Sequence, residues 1–282
     1  MFPEDHLVQG LTGRNLEGQV TKDYHRIEKG LALLEPKLPF GLTVAERLAQ
    51  LTPNHEPVPP YVGHARTALS ALLRWNSGDG VDDDVSPLRK TSSAAVAEPE
   101  AFFTSRHSVR SFSDRLVEPT LLERAVALAI HSPSVCNRQA WHVRFYEGDR
   151  TSTVLRYQNG NAGFGESIPV VALVTVDARL LSGSGERNQG WIEGGIFSMS
   201  LVWAAHAVGL DTCMLNMSVD SDVLDRLRSE LDIPDHELVI MMIAIGHGRD
   251  GHRVARSPRR LVSEVIRRPL RPSTTPNDFQ IS

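Results

Sequence analysis

SPSVCNRQAWHV, residues 132–143, decides the reading of this chain when it is taken together with RHSVRSF, residues 106–112. Between them lies ERAVALAIH, which reads as a helix, and the residues from Trp141 onward alternate like a strand. Two polar clusters therefore stand at the two ends of one short helix. Arg106, Ser108 and Arg110 alternate, so an extended backbone sends all three side chains to one side. Two guanidiniums and a hydroxyl placed so can fork onto phosphate oxygens. In the second cluster Pro133 holds Ser132 to extended or turn geometry, and Ser134, Asn137 and Gln139 carry groups that both donate and accept. Carboxamides of this kind suit a ring edge with alternating carbonyl and N–H groups, so the two clusters together suit a planar anionic ligand. The plainer alternative is a basic surface turn followed by a polar helix-to-strand loop, since neither pattern is as specific as a P-loop.

Working outward, Pro119 opens a helix whose Leu121, Leu122, Ala125, Leu128 and Ala129 make one apolar face. WHVRFYEG alternates as a strand, and PVVALVTVD, residues 169–177, is a β-branched run of the kind buried on both faces. NGNAGFGES, between them, lacks the strand, G-x-G-x-x-G and helix succession of a dinucleotide site. GWIEGGIFSMSLVWAAHAVGL, residues 190–210, approaches the length of a membrane span. Glu193 and His206 interrupt it, and a charge near a bilayer centre costs roughly 2.5 to 3.5 kcal/mol, so a buried helix ended by Gly209 is expected. Its small residues permit the close approach needed in the core of a dimer. DTCMLNMSVD turns into a short strand, Asp220 caps a helix with Val223, Leu224, Leu227 and Leu231 on its buried stripe, and ELVIMMIAIGHG is the last core strand.

Residues 1–80 read as a helical N-terminal extension. NLEGQVTKDYHRIEKGLALLEP contains a helix stopped by Gly30 or Pro36, TVAERLAQL is a second, and VGHARTALSALLRW a third with Ala65, Leu69, Leu72 and Leu73 along one stripe. His25 and Glu28, one turn apart, could share a metal, but without a second ligand pair an ion pair is the better reading, and no metal is expected. GDGVDDDVSPLRKTSSAAVA combines glycine, three aspartates and small polar residues, so residues 81–100 read as a linker ahead of a domain at 101–282. The triple aspartate lacks the alternation of a calcium loop.

The 282 residues, 41% of them hydrophobic, are enough for a sizeable core, and a formal charge of -4 gives no field that would draw nucleic acid. Cys136 and Cys213 are too few for a disulfide framework, and MFPEDHLVQG has no basic segment followed by an apolar run, so a cytoplasmic location is expected, with no membrane partner.

RHSVRSF, about twenty residues, then SPSVCNRQAWHV resembles the opening signature of the nitroreductase family, and the likeness extends more loosely from about Arg106 to Ile266. The resemblance implies an α+β fold, a mostly antiparallel sheet flanked by helices, and FMN bound at a homodimer interface. It implies that Arg106, His107, Ser108 and Arg110 hold the phosphate and ribityl chain. Pro133, Ser134, Val135, Asn137 and Gln139 would reach the flavin from the partner subunit. Ala140 stands where proline is common and Val135 replaces a small residue. By the same resemblance Asn161, or else Asn159, meets the pyrimidine ring, Asn216 and Met217 pass the ring edge, and Arg259, or else Arg256, closes the phosphate site. A turn-forming asparagine and solvated arginines are the plainer alternatives, and for Arg260, Arg267 and Arg268 solvation is preferred. YHRIEKGL, residues 24–31, resembles an N-terminal motif of a subgroup associated with bacterial surface-polysaccharide pathways.

The activity so implied is reduction of an electron-poor small molecule by NADH or NADPH in a ping-pong cycle. The flavin carries the redox work, and no side chain is assigned a catalytic role. His107 is expected to meet the flavin by main chain or stacking, and His142 to be structural. Two alternatives stay open. One keeps the flavin but changes the reaction, as flavin-cleaving, dehalogenating and azoline-oxidising branches do; the other is a non-enzymatic partner protein whose N-terminal helices cover the pocket. The polar, proline-containing C-terminus, RPLRPSTTPNDFQIS, is expected to lie on a surface or wrap the other subunit.

Overall fold

A computed structural model describes residues 11–52, 57–88 and 96–267. The expectations placed on the N-terminal decapeptide and on the segment from Arg268 onward lie outside the described residues. At the centre a four-stranded antiparallel sheet runs in the order β1 (Trp141–Glu147), β2 (Val170–Asp177), β4 (Glu237–Gly246), β3 (Asp211–Asn216). Every residue of β2 is buried, because alternate side chains serve opposite faces of the sheet. Val170, Ala172, Val174 and Val176 enter one core with α5 (Pro119–Ala129) and α7 (Gln189–Ala207). Val171 and Leu173 enter a second with α6 (Asp149–Leu155) and α8 (Ser221–Leu231).

α7 lies across the sheet at Gly194, where an added Cβ would come within 2.5 Å of the Ile240 side chain on β4. Away from the sheet it leaves Trp191, Ile192 and Ile196 exposed, whereas a helix apolar on all sides is ordinarily buried. No helix among the described residues is long and apolar enough to cross a membrane.

The extension consists of α1 (Gly13–Leu31), α2 (Leu42–Leu51) and α3 (Pro60–Asn76), with its own core of residues that include Val20, Ile27, Leu31, Leu48 and Leu72. Asp23 is fully buried; it accepts bonds of 2.5 and 2.6 Å from the Arg47 guanidinium and one of 2.9 Å from the Gln19 amide. α1 then docks on the sheet domain. Gly18 sits so close to the turn at Ala178–Leu180 that a Cβ there would lie 2.9 Å from the Leu180 carbonyl oxygen. Arg14 donates to Asp177 and Lys22 to Ser182, each at 3.3 Å.

Three sequence expectations are corrected. α1 ends at Leu31, with Gly30 still inside its last turn. The buried stripe of α3 is Val62, Ala65, Ala68, Ala71 and Leu72, whereas Leu73 is 54% exposed: alanines, not leucines, let α3 lie against α1. Asp220 occupies the N-cap position of α8, but its side chain makes no capping bond. In the glycine- and aspartate-rich stretch, Asp82 pairs with Arg74 and Val85 packs on the extension's core. α4 (Pro99–Ser105) comes next in the chain.

Candidate cofactor site

The RHSVRSF segment runs beside the edge strand β3. Ser108 makes a parallel bridge with Thr212, the Val109 N–H donates to the Thr212 carbonyl at 3.0 Å, and Phe112 bridges Gly248 beyond the end of β4. Val109 and Phe112 are buried beneath it. The Cys213 thiol of β3 meets the Ser108 hydroxyl and lies in the field of Arg110 and Arg106. Burial pushes that thiol up, and the two guanidiniums and the Ser108 hydrogen bond pull against it.

Arg110 reaches the edge of a cavity of about 900 Å³, lined also by Ser111, the end of α6 and the loop from Asn161 to Ser167. Its guanidinium makes a long bond, 3.4 Å, to the Ser108 carbonyl. Arg106 instead lies over the Trp203 ring at 5.7 Å, in an aromatic group with Phe102, Phe103 and His206. His107 is exposed. A cation at the mouth of a cavity this size suits an anionic ligand of cofactor dimensions.

The Asn161 amide is committed to its own loop, donating to the Leu155 and Gln158 carbonyls at 2.9 and 2.6 Å, while the residue still lines the cavity. Asn159 opens on a smaller neighbouring hollow beside Ser218 and Asp220. Gln158, which the sequence reading missed, is buried and joins the two: its Oε1 accepts from the Gly160 N–H and its Nε2 donates to the Asn216 carbonyl. Asn216 ends β3, exposed, with its side chain accepting from the Ser218 N–H; Met217 packs partly on the core behind.

The second cluster stands elsewhere. After Pro133, Cys136, Asn137 and Gln139 all adopt positive φ, at 51°, 54° and 47°. Single left-handed residues of this kind are costly and persist where the surroundings dictate them. The dictating bonds are visible. Ser134 Oγ accepts from the Gln139 N–H at 3.0 Å, the Val135 N–H donates to Glu193 at 2.6 Å, and buried Arg138 pairs with Glu186 at 2.6 Å. Glu193, on α7, is 1% exposed and its second carboxylate oxygen has no partner. Burial raises its carboxyl above the ordinary range, against the hydrogen bonds from Val135 and Gln189. An acid inside an otherwise apolar helix was the signal for it in the sequence.

Asn137 and Gln139 project not toward Arg110 but into a bay of about 410 Å³ shared with α1 and α3 of the same chain. Arg259 is exposed and bonded at 2.7 Å to the Ser257 carbonyl, and it does not line the Arg110 cavity; Arg256 is likewise exposed. His25 and Glu28 form a 2.8 Å pair, and no group of three metal-ligating side chains occurs among the described residues.

A sequence model of the nitroreductase family matches residues 103–151 and 145–247, which together span about half the chain. The chain belongs to the nitroreductase family. Among its relatives, a protein of Methanothermobacter thermautotrophicus, provisionally named NADH dehydrogenase/NAD(P)H nitroreductase, is 23% identical over 145 residues, covering 51% of this chain and 73% of that one. A protein of the same provisional name from Archaeoglobus fulgidus is 24% identical over 150 residues, covering 52% and 83%. Among solved structures, a nitroreductase family protein from Streptococcus pneumoniae superposes with a TM-score of 0.52 at 19% identity, over 60% of this chain and 98% of that one. A provisionally named nitroreductase from Desulfovibrio desulfuricans, solved in complex with FMN, gives 0.53 at 19% identity, over 63% and 100%. The nitroreductase fold accounts for the sheet, α5, α7 and the flanking helices; α1 to α3 precede the matched residues.

Proposed function

We propose that this nitroreductase family member is an FMN-dependent oxidoreductase that takes electrons from NADH or NADPH and passes them to an electron-poor small molecule. The observation that supports it most is the bridge that lays RHSVRSF along β3, with Arg110 lining a cavity of cofactor dimensions. Arg106, Ser108 and Arg110 of that segment fit a phosphate ester: two guanidiniums and a hydroxyl match its charge and its acceptor oxygens. The relatives' names add the nicotinamide donor and the FMN complex adds the cofactor, each as a property of those proteins.

In this reading Arg106 leaves Trp203 and joins Arg110 and Ser108 on the phosphate, with His107 alongside and Arg259 arriving from the C-terminal segment. Asn161, Asn216 and Met217 border the ring in the same chain. Pro133, Ser134, Val135, Asn137 and Gln139 approach from a second copy. Exposed Trp191, Ile192 and Ile196 on α7 are the apolar face through which that copy docks. FMN, when bound, supplies hydride acceptance and donation at its ring. The chain binds, orients and excludes water, and donor and acceptor visit the same face in turn. The organisation proposed is an extension at 1–80, a linker at 81–100 and the FMN-binding domain at 101–282, in a cytoplasmic homodimer. No residue of α1 to α3 lines the Arg110 cavity of its own chain.

The test is optical. Protein purified without added flavin is expected to be yellow and to bleach anaerobically with one or both nicotinamides. A colourless protein that takes up no FMN would remove the proposal.

A further inference from the structure

The bay between the extension and the loop at residues 135–139 lies apart from the Arg110 cavity, yet it is a built feature. Arg138 is fully buried and anchored to Glu186 and Ser182, while its neighbours Asn137 and Gln139, both held at positive φ, turn their carboxamides outward into the bay. Across from them the extension presents Tyr24 and Tyr61, the exposed His64 ring with its centroid 6.0 Å from that of Tyr24, and the carboxylate of Glu28. The volume, about 410 Å³, admits a one- or two-ring molecule.

The lining chemistry narrows the ligand. Aromatic rings offer flat apolar faces to another ring. Burial, followed by the Glu17 charge, holds the Tyr61 phenol above its ordinary range, so it stays an O–H donor. Glu28, paired with His25 through one oxygen, can accept through the other, and the carboxamides, with Gln139 Nε2 donating to Asn137 Oδ1 at 3.2 Å, keep both donor and acceptor capacity. Both guanidiniums of the bay are engaged: Arg14 with Glu17 and Asp177, Arg138 with Glu186. A phosphate or carboxylate would therefore meet the Glu17 and Glu28 carboxylates with both guanidiniums already engaged, leaving the His64 ring as the one other basic group of the lining.

We propose that this bay is a ligand subsite for an uncharged, hydroxyl-bearing ring compound, with the extension supplying the aromatic wall and the core loop the carboxamides. It rests on the proposed function in one respect: if Asn137 and Gln139 border the flavin of a neighbouring copy, the bay is the seat of the electron acceptor. The extension then sets acceptor specificity.

Two measurements separate these parts. The first uses redox-inert probes, 4-fluorobenzyl alcohol and 4-fluorobenzoate, followed by fluorine NMR on the full chain. The alcohol is expected to broaden and shift on binding and the benzoate to stay sharp. Glu28→Gln and Tyr61→Ala should each weaken the alcohol by roughly tenfold, while Tyr61→Phe, which keeps the ring and controls for folding, should weaken it less. Equal binding of both probes, no binding of either, or full binding by Tyr61→Ala would overturn the subsite. The second measures KM and kcat for 4-nitrobenzyl alcohol against 4-nitrobenzoate with FMN-loaded protein. Glu28→Gln is expected to raise KM for the alcohol with kcat maintained, and identical kinetics in the variant would overturn the acceptor role. Probe binding without any nicotinamide oxidation would leave the subsite standing and remove the reductase reading instead.

Discussion

At the scale of single residues, the site depends on groups held where they are costly. Glu193 is the clearest case: one oxygen fixes the Val135 N–H, the other is buried without a partner, and burial raises the carboxyl. Because the folded value lies above the unfolded one, the protonated form favours folding. That contribution is present below the ordinary value of 4.5 and is lost as pH rises through the folded value. Glu193→Gln should therefore be more stable than the wild type at pH 8, and the gap should close as pH falls toward 4. Paired thermal melts would show it, and a gap independent of pH would contradict it. The alternation of Arg106, Ser108 and Arg110 raised the expectation of a shared phosphate site, with a basic surface turn as the plainer alternative. The stacking of Arg106 on Trp203, about a hundred positions later, was not legible, because spacing within a segment carries no information about what the fold lays across it.

Among elements, the strands could be read because their chemistry is monotonous: β2 is buried throughout, and apolar from Val170 to Val174, since both its faces are covered. Its polar end is also closed. Burial alone would raise the Glu237 carboxyl, yet the hydrogen bonds from Arg144 and Thr175 outweigh it and hold it below the ordinary range. Stability from this pair is thus complete above about pH 4.5 and lost as pH falls through the folded value. Glu237→Gln should flatten the acid limb of the melting profile, and an acid limb identical to wild type would sink that assignment. The docking of α1 was not legible. Its buried residues include Gln19, Thr21, Lys22 and Asp23, which in a sequence look like a solvated face and here are satisfied by Arg47, Ser182 and one another. Breaking such a buried pair leaves an uncompensated charge, so Asp23→Ala should destabilise the extension by about 3 to 5 kcal/mol. Urea unfolding would measure it, and a loss below about 1 kcal/mol would mean that the pair does not hold α2 to α1.

For the whole molecule, the sheet domain supplies a cationic flank and an apolar helix face, and the extension covers the side where the second cluster emerges. One chain does not unite its two polar clusters: Arg110 opens on one cavity and Asn137 with Gln139 on another. A second copy docked through α7 is the arrangement proposed to bring them together. Ile192→Glu should then yield monomers in sedimentation and lose FMN at the same time, and a monomer that keeps FMN would detach the cofactor site from the dimer. Where the extension docks could not be foreseen: the likeness to the core family begins at about Arg106, and the resemblance of residues 24–31 implied no position for them.

The claim beneath all of this is that the arginines beside β3 hold a flavin phosphate. Equilibrium titration of flavin-free protein with FMN, monitored by flavin fluorescence, tests it most directly. The wild type is expected to saturate at about one FMN per chain, and Arg106→Ala, losing a charged bond of roughly 1.5 to 3 kcal/mol, to bind about tenfold or more weakly. Fluorescence unaffected by the wild type, or equal affinity in the two proteins, would contradict the claim.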